Sequence, residues 1–163
     1  MKVISIKEPF ATLITNGMKK IETRSWRTNY RGEIFIHASG KNLAKEFLTN
    51  DIVIALIKNM DMNYGNIICR CNLVDCIYMD EEFLEYIKQN PTEYNVGEYK
   101  LGRYAWVMQD IEPIYPIPVK GQLNIWNFDG DYEIINKEVD RDDSISWKIY
   151  KKNPFSLITT NVI

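Results

Sequence analysis

The sequence predicts one α+β domain followed by a short extension. Several short segments alternate apolar and polar residues, as half-buried strands do, and others repeat apolar residues at the i, i+3 and i+4 spacing of helices. The chain has 163 residues and is 45% hydrophobic, enough to bury one core without disulfides or a metal. After Phe128 the composition changes to acidic and basic residues mixed with Asn. We therefore predict a domain over residues 1–128 and a C-terminal extension over residues 129–163 that partly docks on it.

The first part of the chain is predicted to contain three strands and one helix. Residues 3–6 alternate as a short strand, and a helix then begins near Phe10. Gly17 supplies the left-handed residue that ends this helix. Two further strands are predicted over residues 20–26 and 33–38.

The middle of the chain is predicted to be helical and then to cross the sheet. A helical stretch covers residues 42–59 and is interrupted at Asn50 and Asp51, where a new helix can begin. Residues 67–78 are rich in β-branched and small apolar side chains, which predicts a central strand. The later predicted segments are a helix capped by Asp80 and closed by Pro91, a loop over 94–102, a strand over 104–108 and a proline-rich segment over 111–121 confined to an edge or a polyproline-like path.

Residues 17–37 form a basic cluster with interleaved aromatic residues. The segment has five basic and two acidic residues, a net charge of +3 in a chain whose net charge is −2. Strand alternation places Glu22, Arg24 and Trp26 on one face, where Trp26 is interpreted as a cleft wall. Cations beside flat rings suit phosphate contacts combined with base stacking, although each single cation is also consistent with a solvated side chain. The basic residues and the aromatic residues among them are Lys19, Lys20, Arg24, Trp26, Arg27, Tyr30 and Arg31.

The overall charge excludes a generally basic nucleic-acid coat, because the sequence pI is about 5.5. Charge is instead segregated along the chain. Residues 1–31 contain seven basic and two acidic residues, whereas residues 78–98 contain six acidic residues and one basic residue. Any polyanion must therefore bind through the first segment, and the acidic segment is interpreted as the solvated face of a helix.

Composition also argues against several classes of protein. No apolar run approaches the roughly 20 residues of a membrane span, and residues 1–10 lack a signal-peptide core, so we expect a cytoplasmic protein without a membrane partner. Cys69, Cys71 and Cys76 lie in one predicted strand and are interpreted as reduced core thiols. No metal is expected, because Cys69 and Cys71 are closer than the usual zinc-ligand spacing and His37 is the only histidine.

No standard catalytic motif is present. The glycine motifs of phosphate-binding loops, dinucleotide-binding folds and nucleophile elbows are missing, so no cofactor is expected. Ser5 and Ser25 lack an evident base, since His37 lies on an apolar strand and is interpreted as a hydrogen-bonded core residue. Trp106 and Trp126 lie in apolar surroundings and are also assigned to the core.

An ordered set of residues resembles the ASCH domain family, whose fold is similar to the PUA-like superfamily. The resemblance rests on SIKEPFATLITNGMKKIETRSWRTNYRGEIFIHAS and, after a variable helical insert, on GRYAWVMQDIEPIYPIPVKGQLNIW. It covers about residues 1–128 and implies a small, partly open β-barrel flanked by helices. It also implies a cleft where residues 17–31 meet the strand of the central cysteines, and binding of RNA, a nucleotide or single-stranded DNA.

One branch that this chain resembles is enzymatic, a small amidohydrolase that removes the acyl group of N4-acetylcytidine with a lysine, a threonine and a glutamate. Lys19 matches the lysine, but Glu22 stands at the threonine position and Asn72 at our placement of the glutamate. A lysine must lose its proton to act as a nucleophile or base, and Glu22 would stabilise the charged form. The resemblance therefore favours binding over hydrolysis.

The sequence as a whole predicts a cleft that binds RNA or a modified nucleotide. Two alternatives stay open: hydrolysis of N4-acetylcytidine-like acylated nucleosides in the same cleft, and a protein-interaction module that uses the acidic helix or the extension. Glu22 and Arg24 are also consistent with a salt bridge at the barrel mouth, and Lys120 with a β-turn lysine. Lys19 and Glu22 would be catalytic in an enzyme, and the predicted ligand-binding residues are Lys7, Lys19, Glu22, Arg24, Trp26, Arg31 and Lys120.

Overall fold

The computed structural model describes residues 1–43, 45 and 48–135, which form six strands and four helices. The strands are β1 (Lys2–Lys7), β2 (Ile21–Arg24), β3 (Gly32–Ser39), β4 (Asn66–Tyr78), β5 (Tyr104–Pro118) and β6 (Ile125–Asn127). The helices are α1 (Phe10–Thr15), α2 (Asp51–Ile57), α3 (Glu81–Lys88) and α4 (Pro91–Asn95).

The strands form one mixed sheet in the order β2-β5-β4-β3-β1-β6, with β4 in the predicted central position. β1 and β3 run parallel, and the other neighbouring pairs are antiparallel. β2 and β1 lie near opposite ends of this order, yet Arg24 Nη2 on β2 donates to the Ser5 carbonyl on β1 at 2.6 Å. The sheet therefore curls until its two ends approach each other. The prediction of an α+β, partly open barrel is confirmed.

Apolar clusters pack on both faces of the curled sheet. Ile4, Ile36 and Trp106 are fully buried in one cluster, whereas Val3 and Phe35 belong to another. Adjacent residues of one strand thus enter different clusters, as expected when successive side chains point to opposite faces. The site described below lies where the curled edge leaves this packing open.

Helix α3 packs on the outer face of the sheet. Its Phe83 and Ile87 share a buried cluster with Ala105 and Val107 of β5, while Trp106 between them faces the other cluster. The acidic side chains in the first turn of α3 are exposed, as predicted for a solvated face. This acidic face therefore repels polyanions from that side of the molecule.

Three predicted helix ends agree with the structure. Gly17 has φ +79° and follows α1, the Asn50 side chain accepts from Ile52 N and Val53 N to begin α2, and the Asp80 side chain accepts from Phe83 N at 2.8 Å to begin α3. The predicted helix before Asn50 includes residues 44, 46 and 47, which lie outside the described residues.

Two elements differ from the prediction, and both involve proline. Pro91 begins α4 instead of closing α3, because Asn90 caps the new helix and proline is tolerated at a first helical position. β5 continues beyond 108 to Pro118. β2 pairs only with residues 104–107 of β5, whereas the later part of β5 pairs with β4. The prolines in that later part therefore do not interrupt the hydrogen bonds between β2 and β5.

The start of the predicted extension contacts β5. Tyr115 N donates to Glu133 O, and Ile135 N donates to Pro113 O, each at 2.9 Å. The later apolar residues on which the docking prediction depended, such as Trp147, lie outside the described residues. The domain boundary at Phe128 stays a prediction.

Candidate nucleotide-binding cavity

A cavity of about 630 Å³ opens at the curled edge of the sheet. Residues between 19 and 26 form part of its wall, and β1, β3, residues 96–98 and residues 121–124 contribute most of the rest, together with Phe10, Gly40 and Arg103. The lining combines cations, the carboxylates of Glu22 and Glu98, hydroxyls and aromatic rings. Of the predicted ligand-binding residues, those that line it are Lys7, Lys19, Glu22, Arg24 and Trp26.

The turn after α1 positions Lys19. The N–H groups of Met18 and Lys19 both donate to the Leu13 carbonyl, at 3.0 and 3.1 Å. Gly17 precedes them with a positive φ that other residues rarely adopt, so the chain reverses tightly; the Met18 side chain stays exposed and the Lys19 side chain turns inward. This local turn explains why a lysine enters the interior.

The Lys19 side chain lines the cavity but is fully buried, in contrast to an ordinary surface lysine. Its Nζ donates to the Val96 carbonyl at 2.5 Å and lies 5.1 Å from the centroid of the Phe10 ring. Burial lowers the pKa of the Lys19 ammonium, while the charges of Glu22 and Glu93 act in the opposite direction. The site therefore holds an amine that is more easily deprotonated than usual.

Glu93 is a buried carboxylate next to this site that the sequence analysis missed. It is 2% exposed, and its side chain accepts from Ile21 N at 2.8 Å and from Lys20 N at 3.1 and 3.2 Å. Burial raises the pKa of Glu93, and Lys19 lowers it. The spacing Asn90-x-x-Glu93 is a capping-box pattern that could have indicated α4. The carboxylate holds the start of β2 against α4 and thereby fixes Lys19.

Glu22 and Arg24 form the salt bridge that the sequence left as an alternative, with Glu22 Oε2 and Arg24 Nη2 3.1 Å apart. The same Nη2 donates to the Ser5 carbonyl, so Arg24 joins β2 to β1. Both side chains still line the cavity, and 25% of the Arg24 side chain is exposed. The pair therefore closes the curled sheet and also presents a donor and an acceptor to the cavity.

Trp26 combines a wall with a packing role. It lies just beyond β2, lines the cavity, and is half-buried. Its ring meets the fully buried Trp106 edge to face, with centroids 4.6 Å apart and an interplanar angle of 87°. The interpretation of Trp26 as a wall and not core is thus incomplete, because one residue does both.

Three predicted positions are not brought into the cavity. Arg31 lies 3.8 Å from Asp75 and donates to nearby backbone carbonyls, and exposed Lys120 precedes the lining residue Gly121. Asn72, the position assigned to the glutamate, donates to Asp110 at 2.8 Å. Among the described residues, the lining set includes none from β4, so the cavity does not lie where the basic segment meets the cysteine strand, although Arg31 and Asp75 bring that segment and β4 together. The curl brings β1 and β3 there instead.

His37 is buried and hydrogen-bonded, as predicted, but it is not remote from a nucleophile. Its Nδ1 lies 3.2 Å from Ser5 Oγ, and both residues line the cavity. The expectation that Ser5 lacks a base is therefore wrong. The parallel register of β1 and β3 pairs these two residues, a relationship that spacing along the chain does not reveal.

The described part of the chain places no group of three or more His, Cys, Asp or Glu side chains where they could hold a metal ion. In that same part, every helix falls short of the length and apolar character that a membrane crossing requires.

The curled sheet, its flanking helices and the polar cavity define a small α+β domain with a partly open barrel. The chain belongs to the ASCH domain family, since the family model matches residues 4–120. ASCH domains are associated with RNA binding.

Known proteins resemble this chain at low identity. Activating signal cointegrator 1 of Mus musculus and that of Homo sapiens are each 25% identical to it over 134 residues, which cover 77% of this chain and 22% of the relative. The chain thus spans about a fifth of the length of these curated relatives. A solved ASCH structure from Zymomonas mobilis is 22% identical with a TM-score of 0.47, and covers 72% of both chains. A mutant ASCH protein from the same organism is 18% identical with a TM-score of 0.40, covering 72% of this chain and 74% of its own.

Proposed function

We propose that the protein binds RNA or a modified nucleotide, with one base inside the cavity. The observation that carries the proposal is a cavity of about 630 Å³ that combines cations, two carboxylates and an indole. This volume falls within the range of small-ligand sites, roughly 300–1,000 Å³. A cytoplasmic location and RNA as the preferred polymer over single-stranded DNA belong to the same proposal.

The charges suit a nucleotide better than a simple anion. Glu22 lines the cavity and would repel a phosphate, but its carboxylate can accept from the amino or imino groups of a base edge. Lys7 and Arg103 also line the cavity and can attract phosphate, and Trp26 offers a face for stacking. A nucleotide with its base inside the cavity and its phosphates near the cations would interact favourably with both the carboxylate and the basic side chains.

A matched pair of lysines on β1 tests this assignment. Lys7 lines the cavity, whereas Lys2 at the other end of the same strand does not, and both are exposed. We expect Lys7→Gln to weaken binding of a fluorescein-labelled single-stranded RNA and to lower the slope of log affinity against log salt by about 0.7. Lys2→Gln should leave both unchanged. Equal effects of the two substitutions, or no RNA binding at low salt, would refute the proposal.

The Lys19 amine favours hydrolysis of acylated nucleosides as a second candidate function. Its burial and lowered pKa suit a nucleophile or base, and it shares the cavity with Glu22. Lys19→Arg keeps a positive charge but cannot deprotonate near neutral pH. If the wild type releases acetate from N4-acetylcytidine and Lys19→Arg does not, the hydrolase function is supported. If neither turns over and both bind RNA, the binding function stands alone.

A further inference from the structure

The cavity contains a hydroxyl and an imidazole that the functions above do not use. Ser5 on β1 and His37 on β3 are register partners in the parallel pair, and both line the cavity. Ser5 Oγ lies 3.2 Å from His37 Nδ1. Ser5 is partly exposed and lines the cavity, while the imidazole behind it is 2% exposed.

The hydrogen bonds around His37 select the tautomer that a general base requires. His37 Nε2 lies 2.8 Å from the Val119 carbonyl, which can only accept, so Nε2 carries the proton. Nδ1 of the neutral ring is then the acceptor, and the Ser5 hydroxyl donates to it. Burial also lowers the pKa of His37, which favours the neutral ring at physiological pH.

One donor contacts Ser5 Oγ, and one cation contacts the Ser5 backbone. Trp126 Nε1 donates to Oγ at 3.1 Å, and Arg24, whose guanidinium donates to the Ser5 carbonyl, lines the same cavity. Gly121 lies directly over the pair, since a Cβ there would stand 2.8 Å from Ser5 Oγ and 2.7 Å from His37 Cε1. The glycine thus permits the backbone to approach without covering the hydroxyl with a side chain.

We propose that Ser5 and His37 form a serine-type acyl-transfer site that accepts carboxylic esters small enough for the cavity. Ser5 is the nucleophile, His37 the general base and Arg24 a cation beside the developing oxyanion. The Val119 carbonyl orients the imidazole, as a carboxylate does in serine hydrolases. O-acylated nucleosides are the substrate class, a choice that rests on the proposed nucleotide function, whereas the site itself does not.

The reaction needs only the ester and water. Ser5 Oγ bonds to the acyl carbon as its proton passes to His37 Nδ1, and the C–O bond to the leaving alcohol then breaks while Nδ1 returns the proton to that oxygen. Water next attacks the acyl-serine, giving its proton to Nδ1, and the carboxylic acid leaves as Ser5 recovers its hydrogen. No electrons are transferred to or from another group.

A fluorophosphonate probe tests the site without a known substrate. The hydroxyl displaces fluoride from phosphorus, which leaves a stable adduct that intact mass spectrometry detects. Trypsin cleaves after Lys2 and Lys7, and the resulting peptide of residues 3–7 contains Ser5 as its one hydroxyl side chain. We expect the adduct on this peptide. No adduct under conditions that fully label chymotrypsin, or an adduct elsewhere, would overturn the proposal.

Variants separate this site from an amine-based one. Ser5→Ala and His37→Gln should each lose the adduct, and Gln keeps a nitrogen able to donate to Val119 O. Lys58→Gln, which changes an exposed lysine outside the cavity lining, should retain it. The labelling rate of the wild type should fall only in acid, where His37 becomes protonated, whereas an amine nucleophile would react faster toward alkaline pH. Retention of the adduct in His37→Gln would refute the general-base role.

RNA affinity measured on the same samples distinguishes failure of this proposal from failure of the binding function. A Ser5 adduct without RNA binding supports the acyl-transfer site and removes the nucleotide as its substrate. RNA binding without an adduct refutes the acyl-transfer site alone. Thermal unfolding of each variant identifies loss of fold, and the wild-type labelling result decides the proposal even if a variant does not fold.

Discussion

Replacing Trp26 by alanine tests the double role of this residue. The substitution removes an indole that is half-buried, lines the cavity and meets Trp106 edge to face at 4.6 Å. The hydrogen bond from Trp106 Nε1 to the Trp26 carbonyl, at 3.3 Å, uses the backbone and can survive. The perturbation is therefore confined to ring contacts.

The expected loss of stability follows from the partial burial of Trp26. An edge-to-face pair contributes about 0.5–1.5 kcal/mol beyond its buried area, and truncation of a fully buried Phe or Trp costs about 3–5 kcal/mol. For a half-buried ring we expect the free energy of unfolding to fall by about 1–2 kcal/mol. The melting temperature should then fall by about 2–8 °C. Loss of base stacking should weaken RNA binding by about 1–3 kcal/mol, or roughly 5–150-fold.

Thermal unfolding and RNA fluorescence anisotropy measure the two effects separately. Trp26→Phe is the control, because a smaller ring retains the edge-to-face contact and a stacking face. It should lie between the wild type and Trp26→Ala in both assays. A loss of more than about 3 kcal/mol of stability with unchanged RNA affinity would identify a purely core residue and contradict the reasoning.

Three further outcomes are expected. As the pH rises toward 10, the free energy of unfolding of the wild type should increase relative to that of Lys19→Met. The reason is that burial lowers the pKa of Lys19 in the folded protein, so the unfolded chain binds the extra proton in this range. Urea titrations across the range would refute this if the two profiles ran parallel. Glu93→Gln should lower the free energy of unfolding by about 1–3 kcal/mol, because Gln presents one acceptor oxygen to the two backbone N–H groups of Lys20 and Ile21. An unchanged urea midpoint would contradict this expectation. Ellman's reagent should label half-buried Cys76 before the buried Cys69, whose thiol pKa is raised to about 12, and equal rates in the folded protein would show that the thiols are not core.

Local signals predicted most of the secondary structure. Helix starts at Asn50 and Asp80 and the helix end at Gly17 depend on hydrogen bonds or dihedral angles within a few residues, so contiguous sequence encodes them. Strand alternation in β3 and the β-branched composition of β4 likewise predicted these strands within one residue at each end. The prediction failed at Pro91, where the Asn90 cap begins a new helix, and at residue 108, where β5 continues instead of ending. The later part of β5 pairs with β4 on one side, which agrees with the predicted edge position of its prolines.

The candidate site could be predicted only in part. The basic segment supplied Lys19, Glu22, Arg24 and Trp26, because a single turn and strand carry them into one wall. Arg31 lies beyond the end of β2, near Asp75, and is not part of that wall. Composition rules treat lysine as exposed, so the complete burial of Lys19 could not be read from its neighbours along the chain.

The sequence by itself determined the α+β class, the caps that begin α2 and α3, and the segment that lines one side of the cavity, because these depend on residues close together in the chain. Only the tertiary structure decided which distant groups meet them. The Lys19 to Val96 contact spans 77 positions and the Ser5 to His37 contact spans 32. Such contacts depend on strand order and on the curl of the sheet, which arise from packing of the whole core and are not encoded in any one segment.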